Sequence, residues 1–99
     1  MIVVMLFCLV DVREPREWEG GVAAGAALLP LSDLTGSQKA WTEFLRGVGD
    51  REVLVYCAAG GRSAIAARML CSEGVKAGDA GALHEWRAAG WTVTPPKQG

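Results

Sequence analysis

The run Cys57-Ala58-Ala59-Gly60-Gly61-Arg62-Ser63 gathers a sulfur, a flexible turn, a permanent cation and a hydroxyl into one short loop. A cysteine reacts as its thiolate, and a free thiol is only a few per cent ionised near neutral pH. Gly60 and Gly61 can take positive φ without strain, which lets the backbone curl into a cradle of N–H donors. Arg62 offers a planar fork suited to an oxyanion, and Ser63 is placed to cap a helix that starts there. Making the thiol mostly ionised needs a shift of about 2 units, or roughly 2.7 kcal/mol. A helix N-terminus supplies up to ~2 kcal/mol, and each hydrogen bond to a charged group roughly 1.5–3 kcal/mol. Such a cradle suffices without a histidine base. The competing reading is a small buried apolar residue, which is what free cysteines commonly are.

The flanking residues supply the elements that position this loop. Val53 to Tyr56 is a run of β-formers that delivers Cys57 to the carboxyl end of a strand, and a helix over Ser63 to Glu73 follows, stopped by Gly74. In an open α/β sheet the crevice beyond the strand ends is where ligands bind. Upstream, Ile2 to Val12 reads as extended and buried, Pro15 to Glu19 as a turn or a single helical turn with Trp18 packed inward, and Ala26 to Leu29 as a short strand ending at Pro30. Ser32 is expected to cap a short turn. Ser37 is expected to open a helix over Gln38 to Arg46 with Trp41, Phe44 and Leu45 as its apolar stripe, ended by Gly47 and Gly49. A last helix is predicted over Ala82 to Ala89. The fold class is α/β: a small open, mostly parallel β-sheet with helices on both faces.

Three further passages bear on the assignment. Cys57-Ala-Ala-Gly60-Gly-Arg62-Ser63 resembles the active-site loop C-x-x-G-x-R-[ST] of the rhodanese-like sulfurtransferase family. Leu9-Val-Asp11-Val-Arg13-Glu-Pro-Arg-Glu17-Trp18-Glu-Gly-Gly21 resembles that family's D-V-R-x-x-x-E-[YF]-x-x-G-H-I-P-G-A. Gly81-Ala82-Leu-His-Glu-Trp86-Arg-Ala-Ala-Gly90 resembles its closing G-G-x-x-x-W-x-x-x-G. The three stand in the family's order and span nearly the whole chain. Departures are local. Val22 and Ala24 replace the family's histidine and proline, and the stretch between Gly74 and Gly81 is about two residues short, so the fifth strand is expected to be short or irregular. The family's opening strand and helix are expected to be abbreviated.

The resemblance implies sulfur transfer in two steps through a Cys57 persulfide, with N–H groups from Ala58 to Ser63 holding the anion and Arg62 orienting the donor or bracing the loop. It implies that Asp11, Arg13 and Glu17 brace the loops from behind, where the residues alone read equally as a solvated charged face. Donor and acceptor would be thiosulfate or a persulfide, small or carried on a protein, and a thiol or cyanide. Ala58 stands where some thiosulfate-using relatives carry a basic residue. A non-catalytic binding module of the same family is the main alternative. A cysteine phosphatase or arsenate reductase is another, although such enzymes resemble C-x₅-R and the spacing here is C-x₄-R.

Composition bounds what remains. The chain has 99 residues, formal net charge −1 and three cysteines, with pI near 5.7. One domain over residues 1–94 is expected, with residues 95–99 as a loose tail. No basic footprint suggests nucleic acid. Without C-x-x-C or cysteine–histidine spacing, neither a zinc site nor a disulfide framework is expected, and the proposed chemistry needs no cofactor. Ile2 to Val10 is too short to span a bilayer and lacks a basic n-region and cleavage site. Location in the cytoplasm is expected, where thiols stay reduced. Cys8 and Cys71 fit packing roles, and His84, the single histidine, lies far from Cys57 in sequence.

Overall fold

A computed structural model describes residues 7–96; the expected start of the first strand at Ile2 and residues 97–99 of the expected tail lie outside them. Four parallel strands form the central sheet: β1 (Phe7–Asp11), β3 (Ala27–Leu28), β4 (Glu52–Cys57) and β5 (Ala77–Ala82). Their spatial order is β3-β1-β4-β5. The chain leaves β1 toward β3 and then crosses over to β4 on β1's other side. The carboxyl ends of β1 and β4 therefore flank the point where strand order reverses, the place where open α/β sheets leave a crevice.

Side chains alternate across these strands and build two cores. Val10, Val12, Val53, Val55 and Cys57 point to one face, where they meet α2 (Leu31–Leu34), α3 (Lys39–Arg46) and α4 (Gly61–Ser72). Trp41 fills that layer at 1% exposure, edge-on to Phe44 with ring centroids 5.8 Å apart. On the other face Leu9 and Tyr56 pack with Leu83 and Trp86 of α5 (Leu83–Ala88). Trp86 meets Trp91 edge-on at 4.8 Å. A two-stranded antiparallel ribbon joins β2 (Val22–Ala23) to β6 (Val93–Thr94), and Trp91 Nε1 donates to Ala24 O at 3.0 Å. The fold is the expected one, with helices on both faces, and with a ribbon that the sequence reading did not include.

Several local expectations change. Pro30 rather than Ser32 is the N-cap of α2, because Ser32 Oγ donates instead to Glu14 Oε1 at 2.8 Å. Helix α3 opens after Gln38, which takes φ 62°, and the carboxylate of Asp33 accepts from the N–H groups of Ala40 and Trp41 at 3.4 and 3.0 Å. Helix α4 starts at Gly61 with Gly60 as N-cap, so Ser63 lies inside the first turn and is not the cap. Gly60 alone of the loop glycines takes positive φ, at 99°. Strand β5 is six residues long, and its pairing with β4 shifts register between Val55 and Cys57, the irregularity expected of the shortened segment. Its two glycines and three alanines bring little side chain to hold the ladder in step.

Candidate active site

Cys57 closes β4 and lies at 1% exposure beneath the loop that leads into α4. The loop turns back over the sulfur. Gly60 N–H donates to Sγ at 2.9 Å and Ser63 N–H at 3.3 Å. Positive φ at Gly60 is what turns its N–H inward, a conformation disfavoured for residues bearing a Cβ. Both donors belong to the start of a twelve-residue helix, whose dipole adds positive potential at the same point. Burial pushes the Cys57 thiol up. Hydrogen bonding of the thiolate form with the Ser63 hydroxyl and with the N–H groups of Ser63, Gly60 and Ala59 outweighs it, and the thiol ionises below its ordinary value. Ala58, Ala59 and Gly61 are exposed around the mouth of the loop.

Arg62 pairs with α1 (Pro15–Trp18). Its Nη1 and Nη2 meet Glu17 Oε1 and Oε2 at 2.6 and 2.8 Å, a bidentate pair. Hydrogen bonding from Arg62 holds the Glu17 carboxyl down at about 2. Glu17 also accepts from Glu14 N–H at 3.0 Å, and Glu14 in turn receives the Ser32 hydroxyl. The chain of contacts thus runs from the loop through α1 to α2.

Beneath the sheet's other face lies a buried charge pair. Asp11 is fully buried and Arg13 is 7% exposed. Arg13 Nη2 donates to Asp11 Oδ2 at 2.8 Å and its Nε to Oδ1 at 3.0 Å. Arg13 Nη2 reaches Gly21 O at 2.7 Å, and Nη1 reaches Glu17 O at 3.4 Å. Tyr56 hydroxyl donates to Asp11 Oδ2 at 2.6 Å and accepts from Ala23 N–H at 2.9 Å. Burial and the neighbouring carboxylate push the Tyr56 phenol up, so it stays a neutral donor. A buried charge is tolerable when paired and hydrogen-bonded, and this pair ties β1, β2 and β4 together behind the loop.

All ten residues singled out in the sequence gather at the carboxyl ends of β1 and β4. Cys57 to Ser63 form the loop, and Asp11, Arg13 and Glu17 lie behind or beside it. Two participants were not singled out. Tyr56 is the register partner of Asp11, a pairing that needs the sheet to be seen. Asp79 on β5 accepts the Ser63 hydroxyl at 2.6 Å and Gly81 N–H at 2.9 Å; the one hint was an acidic residue among small ones in Ala77-Gly-Asp-Ala80. Cys71 is exposed and Cys8 half-buried, and His84 lies on α5. Among the described residues no cluster of His, Cys, Asp and Glu could hold a metal, and no helix is long and apolar enough to cross a membrane.

Comparison with known proteins places this geometry. The model of the Rhodanese-like domain family matches residues 3–89. The uncharacterized protein YqhL of Bacillus subtilis is 42% identical over 66 residues, covering 67% of this chain and 48% of that protein. The uncharacterized protein slr1261 of Synechocystis is 38% identical over 91 residues, covering 90% and 48%. The chain spans about half the length of these curated relatives. Among solved structures, a rhodanese-related protein from Thermoplasma volcanium superposes with TM-score 0.76 at 32% identity, covering 92% of this chain and 86% of that one. A probable thiosulfate sulfurtransferase superposes with TM-score 0.73 at 34% identity, covering 89% and 43%.

Proposed function

The chain belongs to the rhodanese-like domain family, and from that premise we propose that it is a sulfurtransferase working through a persulfide on Cys57. The observation that carries the reading is the convergence of Gly60 and Ser63 N–H groups on the sulfur at 2.9 and 3.3 Å. Neutral dipoles stabilise an anion there without quenching it by ion pairing, which suits a nucleophile. In the first step the Cys57 thiolate attacks the outer sulfur of the donor. A Cys57–sulfur bond forms, and the donor's sulfur–sulfur bond breaks with its electron pair on the leaving group: sulfite from thiosulfate, a thiolate from a persulfide. In the second step an acceptor thiolate attacks the outer sulfur of Cys57–S–S⁻ and the Cys57 thiolate returns. The amide cradle holds an anion throughout.

Of the two donor classes, a persulfide is the better fit. Arg62 is committed to Glu17, and positions 58 and 59 are alanines. Neither offers a cation to the thiosulfate dianion. A donor carried on a small thiol or on a protein needs less charge at the mouth of the loop.

The test is mass spectrometry after incubation with thiosulfate or with a persulfide. The Cys57 peptide should gain about 32 Da, one sulfur atom of the covalent intermediate. Cys57→Ser should abolish both adduct and transfer, while Cys8→Ser and Cys71→Ser retain them. Absence of the adduct with either donor, or turnover of aryl phosphate esters, would overturn the proposal.

A further inference from the structure

One polar line leads outward from the sulfur to the edge of the sheet. Cys57 S–H lies 3.5 Å from Ser63 Oγ, and Ser63 Oγ lies 2.6 Å from Asp79 Oδ1. Cys57 and Ser63 are both buried, at 1% and 0% exposure, whereas Asp79 is exposed at the sheet edge. The line therefore runs from a covered sulfur to solvent.

A serine hydroxyl has one proton. Four acceptors surround this one: Asp79 Oδ1 at 2.6 Å, Gly60 O at 3.1 Å, Gly81 O at 3.4 Å and the sulfur at 3.5 Å. The carboxylate is both the nearest and the charged one, so it takes the proton. The oxygen then presents a lone pair to the sulfur, which favours Cys57 as an S–H donor. Resting on the reading of Cys57 as the nucleophile, we propose that Asp79 is a positioning residue that holds the Ser63 hydroxyl proton and, through Ser63, carries the Cys57 proton between the buried sulfur and solvent.

The transfer balances. The S–H bond breaks and its proton bonds to Ser63 Oγ, while the Ser63 O–H bond breaks and that proton bonds to Asp79 Oδ1. Thiolate accepting from Ser63 and a neutral carboxyl result, with the net charge unchanged; the carboxyl then gives its proton to water. Once both thiolate and carboxylate are charged, they compete for the single hydroxyl proton. Asp79 thereby opposes the amide cradle and sets how much thiolate is present. Other charged groups near this line are already engaged. Arg62 of α4 is paired with Glu17 of α1. Glu85 of α5 accepts Ala82 N–H at 2.9 Å. Tyr56 of β4 faces Asp11 on the opposite side of the sheet.

The experiment is the pH dependence of Cys57 alkylation by iodoacetamide in a Cys8→Ser, Cys71→Ser background, so that only Cys57 reacts. Asp79→Asn keeps the shape and removes the charge. It should lower the midpoint by about half to one unit, as expected for one charge within roughly 6 Å in a partly solvated setting. Asp79→Ala frees the hydroxyl to donate to the sulfur and should lower it at least as far. Asp79→Glu, which keeps a carboxylate, should return the midpoint toward wild type. In a Ser63→Ala background the Asp79→Asn shift should shrink to less than half. A midpoint unchanged or raised by both Asp79→Asn and Asp79→Ala overturns the proposal, since a merely structural anchor would raise it when lost. So does a full-sized shift without Ser63, which would mark direct charge repulsion. Alkylation needs no sulfur donor, so failure here leaves the persulfide proposal standing and is distinguishable from failure of the adduct test.

Discussion

Asp11 and Cys57 end neighbouring strands within one residue of register, and their surroundings are opposite in kind. Asp11 meets a full countercharge, Arg13, together with the Tyr56 hydroxyl, all closed off beneath one face of the sheet. Cys57, facing the other way, meets backbone N–H groups and, among the described residues, no countercharge in contact with the sulfur. A charge neutralised by a rigid bidentate partner is held still and made inert, because its lone pairs are occupied. A charge held by dipoles keeps its electron pair available. The same sheet end thus carries a brace and a reactive centre, separated by the alternation of side chains along β1 and β4.

That contrast breaks most visibly on the brace side. Asp11→Ala leaves the Arg13 guanidinium buried without its partner, which typically costs about 3–5 kcal/mol, a large share of the roughly 5–15 kcal/mol that holds a small domain together. Cys57→Ser replaces one small buried group by another and should cost less than about 1.5 kcal/mol while removing activity. Urea denaturation of the two variants should therefore rank them opposite to an activity assay. Similar stability losses for both would dissolve the distinction between brace and centre.

On the reactive side the sharper probe is Gly60→Val. A Cβ at Gly60 meets nothing within 4 Å among the described residues, so steric clash is not the issue. The cost is the φ of 99°, which a β-branched residue adopts only under strain of roughly 1–3 kcal/mol. Relaxing that strain turns the N–H away from the sulfur. Transfer should fall by about 10²-fold, the usual effect of losing one preorganised donor, and the Cys57 alkylation midpoint should rise. His84→Ala serves as the control, with no change expected. A midpoint that rises equally in the His84 variant would shift the account from amide donors to a histidine.

The reactive half was the more legible of the two in the sequence. Cys57, Gly60, Arg62 and the helix after them are local in sequence, so turn chemistry and periodicity reveal them. What stayed hidden depends on residues distant in sequence. Ser32 and Ser63 carry the side chains of helix caps, yet carboxylates brought in by the fold, Glu14 and Asp79, take their hydroxyls. Charged acceptors outcompete a backbone N–H for the same side chain. The β2–β6 ribbon is two residues on each strand, too short for any alternation to register. The partner of Arg62 was equally unreadable, since Glu17 lies 45 residues away.

That pair joins brace to loop, and it gives the smallest expected effect. Glu17 ionises at about 2 in the folded chain against an ordinary 4.5. A carboxyl depressed on folding stabilises fully above its unfolded value, and the contribution is lost as pH falls through the folded one. Glu17→Gln should therefore cost stability at pH 7 and cost progressively less as pH drops from about 5 toward 2. The two side chains are 28% and 35% exposed, so solvent screening holds the pH 7 difference to about 1 kcal/mol. Arg62→Ala should slow transfer by about tenfold or less and leave Cys57 able to take up sulfur, because the N–H cradle does not depend on the guanidinium. Paired urea denaturations of wild type and Glu17→Gln at pH 7 and pH 3 measure the first effect. A stability gap that is constant across that range would show that the Glu17–Arg62 pair does not act through its charge, and would leave the loop held by backbone geometry alone.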